Sequence, residues 1–77
     1  MEVQLVAIAR GVANYKVRAL RDVPELPEEG SEFQVRDLGH TVVVDRVFST
    51  LVPREIRFAV KADDVTRLRS KKGWTLF

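Results

Sequence analysis

Apolar residues in this chain recur mainly at every second position, the period of a strand with one buried face. The densest run is Gly39 to Lys61, GHTVVVDRVFSTLVPREIRFAVK. Its second half is the clearer: Ile56, Phe58 and Val60 share one face, while Glu55, Arg57 and Lys61 share the other. Its first half is mixed. Val42, Val44 and Phe48 align with Arg46, and Val43 and Val47 align with Asp45. A strand that is apolar on both sides is covered twice or carries a bulge that switches its faces. Between the halves, Thr50-Leu51-Val52-Pro53 reads as a turn closed by a proline that cannot donate to a ladder.

The same period appears upstream. Val3, Leu5, Ala7 and Ala9 line one face of a first strand, with Val6 and Ile8 on the other. Gly11-Val12-Ala13-Asn14 suits a hairpin loop, because Gly and Asn tolerate positive φ. Tyr15, Val17 and Ala19 mark the return strand, in which Leu20 breaks the alternation. Pro24 to Gly30 holds two prolines and a glycine, which exclude helix and central strand. It reads as a crossover loop with Leu26 turned to the core. Phe33 and Val35 mark a short strand, and Asp37-Leu38-Gly39-His40 a tight turn.

After Lys61 the period changes. Val65 and Leu68 stand three apart, with Asp63 as candidate N-cap, Asp64 near the positive end of the dipole, Lys71 and Lys72 near the negative end and Gly73 as the stop. The expectation is a β-rich α+β domain. Five antiparallel strands at 2–10, 15–23, 32–37, 41–49 and 54–61 form a strongly curved sheet or small barrel, with one C-terminal helix at 63–72. The expected core is Val3, Leu5, Val17, Phe33, Val35, Val42, Val44, Phe48, Ile56, Phe58, Val60 and Leu68.

Length limits what such a core can spare. With 77 residues the chain is one domain, and its long apolar side chains are needed for folding. Cysteine is absent, so disulfides and thiolate chemistry are excluded. No run approaches the roughly 20 apolar residues of a membrane span. MEVQLVAIAR lacks the basic start and long apolar core of a signal peptide. The expected place is the cytoplasm, with no membrane contact.

Net charge is only +2, but its layout is uneven. Asp22, Glu25, Glu28, Glu29 and Glu32 form an acidic stretch, and Arg67, Arg69, Lys71 and Lys72 crowd the other end. RLRSKKGW interleaves cations with Trp74, a pattern found in single-strand binders, and Lys16, Arg18 and Arg21 could extend it if the helix packs nearby. The plainer account of these cations is that they answer the helix C-terminus. For catalysis the inventory is thin. His40 is the one histidine, with no serine, cysteine or carboxylate placed to complete a relay, and no glycine loop cradles phosphate. The acidic loop lacks a metal-ligand pattern. No enzyme, metal or cofactor is expected.

A non-catalytic binding protein of adaptor or inhibitor type remains. Another protein is the first expected partner, met by a rim of Leu38, Leu51, Val52, Trp74 and Phe77. Nucleic acid is the second, met by Lys16, Arg18, Arg67, Arg69, Lys71, Lys72 and Trp74. Finally, Trp74-Thr75-Leu76-Phe77 is too apolar for a frayed end. Trp74 and Leu76 are expected to pack on the domain, leaving Phe77 for a partner.

Overall fold

A computed structural model describes residues 1–77. The order of elements is β1 (Glu2–Ala9), β2 (Lys16–Asp22), β3 (Glu32–Val35), β4 (His40–Phe48), β5 (Arg54–Val60), α1 (Ala62–Arg69) and β6 (Thr75–Leu76). They build a small α+β fold: one mixed sheet, ordered β3-β4-β5-β1-β2-β6, and one short helix. Three differences from the sequence reading follow. A sixth strand exists, because Thr75 and Leu76 pair with Arg18 and Val17 on β2. The sheet is not all antiparallel, because β5 lies parallel to β1. The sheet is open, with β3 and β6 at its edges.

Two hairpins in series explain the parallel pair. β3, β4 and β5 form a meander, and its last strand lands beside β1 on the side β2 leaves free. Parallel pairing needs a long connection, and the whole segment between β1 and β5 supplies it. The first hairpin turns through Gly11 at φ 77° and Asn14 at φ 57°, as its residue types imply.

Of the two accounts left open for β4, the structure has the bulge. Val44 pairs with Phe58 and Arg46 with Arg57, so Asp45 is the extra residue. Past it the faces exchange: Val47 faces Ile56 on the core side, and Phe48 faces Glu55 on the opposite side. Phe48 is therefore not a core residue, and Val47 packs against the core in its place. The acidic loop supports the bulge, since the Val47 N–H donates to Glu29 Oε2 at 2.9 Å. The donor has no strand partner at the bulge, and a side chain supplies its acceptor. Phe33 lies against the core partly covered, while the other ten expected core residues are buried.

The helix covers only one face. Val65 and Leu68 are fully buried over β1 and β2. Its N-cap is Lys61, without a side-chain cap bond, and Asp63 and Asp64 fall inside the first turn. Asp63 is thus a first-turn acid and not the cap. The helix stops at Arg69; Ser70 to Gly73 form a turn that sends the chain back along β2. Gly73 sits at φ 91°, and a Cβ there would meet Arg21 Nη1 at 2.7 Å. Its conformation calls for glycine, and any side chain there would also displace the Arg21 tip.

The curl of the sheet brings its two ends close on the helix side. Arg21 Nη2 on β2 meets Asp37 Oδ2, just past β3, at 3.0 Å. The same oxygen accepts from Trp74 Nε1 at 2.7 Å. Side chains, not a backbone ladder, bridge the gap. Arg21 also donates to the Lys72 carbonyl at 2.7 Å. At the other end His40 Nε2 lies 3.3 Å from Asp64 Oδ2, and the Tyr15 and Thr66 hydroxyls are 2.6 Å apart. These contacts tie the helix to both hairpins.

Candidate binding face

The face of the sheet opposite the helix has no layer over it. Strand register assigns its residues in rows. One row reads Leu20, Gln4, Glu55, Phe48; the next reads Thr75, Arg18, Val6, Arg57, Arg46; the third reads Lys16, Ile8, Ala59; beyond the first row, Glu2 stands opposite Asp22 at the end of the face. Val6 is buried to 1% exposure yet stands apart from the core cluster of 17 residues on the helix side. Long neighbours on its own face shelter it, as arginine stems do.

The middle row is unusual. Three arginines share it without an acid, and Arg46 directly faces Arg57 across the β4–β5 pair. Like charges in opposed positions destabilise a sheet. One carboxylate offsets them from the neighbouring row. Glu55 is buried, accepts from Gln4 Nε2 at 3.2 Å and is held by Arg57 Nε. Arg18 and Arg46 make no ion pair.

An aromatic ring flanks the row at each side. The Arg57 guanidinium lies 5.0 Å from the Phe48 ring centre. Lys16 Nζ and the Arg18 guanidinium each lie 4.6 Å from the Phe77 ring centre. Such stacks hold cations in place and remove part of their rotamer freedom.

The residues singled out by sequence fall in four places. Trp74 is 4% exposed, and its indole N–H is committed to Asp37, so neither a partner protein nor a base can stack on it. Leu38 is likewise buried in the core. Leu51 and Val52 stand at the tip of the β4–β5 hairpin, with Val52 98% exposed. Arg67 and Arg69 on α1, and Lys71 and Lys72 after it, belong to the helix side. Lys16 and Arg18 point to the other side; only Arg21 stays on the helix side, where it is paired with Asp37 and bonds the Lys72 carbonyl. The partner of Lys16 and Arg18 is Phe77, which is 41% exposed on their face. Leu76 faces the helix side but stays half exposed, because β6 is an edge strand.

Arg46, Arg57 and Phe48 were missed by the sequence reading. The bulge moves Arg46 and Phe48 to the outer face together, and simple alternation places both inside. A signal was present in the sequence: an arginine at an inward position two residues before an apolar one already pointed to a switch of register.

The titrating groups serve the fold. His40 has Asp64 at one ring nitrogen and the Thr41 carbonyl at the other, 3.0 Å from Nδ1. The Thr41 carbonyl first, and Asp64 second, raise its pKa above the usual 6.5. The Trp74 indole bond first, with Arg21 and Lys71 adding to it against partial desolvation, holds Asp37 below 3.8. A cleft of about 620 Å³ lies where β2 and β3 fail to meet, lined by Leu5, Val23, Phe33, Val35, Arg21 and Asp37. Its polar groups are the pair that bridges the gap, with Asp22, Gln34 and Arg36 beside them. No helix is long and apolar enough to cross a membrane.

None of the known protein families, curated proteins or solved structures compared with the chain matches it.

Proposed function

We propose that this chain is a small non-catalytic binding protein, and that the uncovered face of its sheet holds a partner carrying clustered negative charge. The observation that carries this reading is the Arg18–Val6–Arg57–Arg46 row. A row of like charges costs stability when the protein is alone. An anionic partner converts that cost into attraction, and prearranged charge speeds and orients encounter. The two ring–cation stacks add apolar surface beside the charge, and arginine with aromatics is the composition of contact hot spots.

The test compares two double variants of equal charge. Arg18→Gln with Arg46→Gln empties the face and leaves Arg57 to hold Glu55. Arg67→Gln with Arg69→Gln empties the helix. On immobilised heparin, the first should elute at clearly lower salt than the second. Equal shifts, or a larger shift for the helix variant, would make the attraction a matter of net charge and defeat the reading.

A protein partner at the hairpin tip is the second reading, and Val52 is the observation that favours it. Val52 is 98% exposed, beside the half-exposed Leu51. A photo-crosslinker placed at position 52 in the native cell should then capture one discrete partner that Leu51→Asp abolishes. Crosslinks only from position 18 would assign the contact to the sheet face.

A further inference from the structure

We infer that the partner of the uncovered face is a single-stranded nucleic acid, held by phosphate contacts along the arginine row and by base stacking at the two phenylalanines. The inference rests on the binding reading above and gives that face its ligand class.

Size argues first. From β6 to β4 the face spans four strand spacings, roughly 19 Å, and its three rows span roughly 13 Å. That footprint is roughly 250 Å², well under the about 800 Å² each partner contributes to a standard protein interface. It matches a short single strand, since sheets that bind RNA stack two or three bases on their face.

Charge and chemistry argue next. Arg18 and Arg57 stand two strands apart on the same row, roughly 10 Å, with Arg46 beside Arg57. Arg18 and Arg46 have no acidic partner, so their donor forks are free for phosphate oxygens. The rings bracket the row. Phe77 sits beside Arg18 and Lys16, and Phe48 beside Arg57. A guanidinium stacked on a ring offers a flat, positively charged platform to a base. Only an unpaired strand presents base faces to both ends. A duplex shows phosphates but keeps its bases stacked. No element projects from this face to enter a groove, because the single helix lies on the other side.

Selectivity among bases is not built in. Apart from Thr75, the polar side chains on the face are Gln4, which bonds Glu55, and the charged groups themselves. Stacking and phosphate contacts are sequence-tolerant, so the expected ligand is any short unpaired strand.

The test is fluorescence anisotropy with labelled twelve-residue oligothymidylate, oligouridylate and a twelve-base-pair duplex, with heparin as the polyanion control. The single strands should bind at least tenfold more tightly than the duplex at equal salt. Log affinity should fall with log salt with a slope of about −1.4, from two phosphates, on Arg18 and Arg46, at about 0.7 each on a single strand. Arg18→Gln with Arg46→Gln should reduce that slope by about 1.4. Phe48→Ala and Phe77→Ala should each lower affinity about fivefold or more and leave the slope unchanged. Thermal melting of each variant confirms that it is folded before binding is read. Equal affinity for single strand and duplex, or no effect of the rings, overturns the inference. If heparin alone binds through Arg18 and Arg46, the face stays a contact surface and its ligand is not nucleic acid. If neither heparin nor oligonucleotide depends on those arginines, both readings fall together.

Discussion

Asp37 concentrates much of the tertiary structure on one oxygen. Its Oδ2 accepts from Trp74 Nε1 and from Arg21 Nε and Nη2. Asp37→Ala would strand a buried indole N–H and release an arginine that also binds the Lys72 carbonyl. The loss should be about 2 kcal/mol, the scale of a hydrogen bond to a charged group, read by urea unfolding. The folded carboxyl titrates below 3.8. Its stabilisation is therefore complete above that value and fades as pH falls through the folded pKa, and Asp37→Ala should remove that part of the acid sensitivity. His40 works in the other sense. Its folded pKa is raised above 6.5, so its contribution is full below 6.5 and is lost as pH rises through the folded value. Wild-type melting temperature should fall from roughly pH 6 to 8 more than that of His40→Gln; parallel profiles would refute the His40–Asp64 clip. The burial of Trp74 was legible from the apolar stretch Trp74-Thr75-Leu76-Phe77 that follows the helix. Its acceptor was not, because 37 residues separate the two and only the curl of the sheet joins them.

At the scale of elements, strand and helix positions were readable from period alone, since alternation at Ile56, Phe58 and Val60 survives any tertiary arrangement. Strand direction was not. Period 2 is the same in parallel and antiparallel ladders, so nothing in β1 or β5 announced their parallel pairing. The helix end was also misjudged: Lys71 and Lys72 suit a helix terminus by charge, but the chain turns at Ser70 to form β6. β4 allowed two accounts, and the bulge at Asp45 decides between them. That geometry is testable. Val47→Asp would put a carboxylate toward Ile56 and the core and should cost about 2 kcal/mol. Phe48→Asp would lie on the outer face beside Arg57 and should cost about 1 kcal/mol or less. Thermal or urea unfolding of the two variants gives the ranking. The reverse order would mean that β4 keeps one face throughout.

The whole molecule is asymmetric. One side of the sheet carries the helix, Trp74 and a 17-residue core. The other carries arginines, two phenylalanines and one sheltered valine. The sequence offered the strand cations as an extension of the basic end beside Trp74; the fold puts Lys16 and Arg18 on the opposite side and buries the tryptophan. The claim that the uncovered side is the contact surface is tested most directly by amide NMR of the labelled protein titrated with oligothymidylate. Shifts should concentrate at Val6, Arg18, Arg46, Phe48, Arg57 and Phe77. Shifts confined instead to Arg67–Lys72, or to Leu51 and Val52, would contradict it.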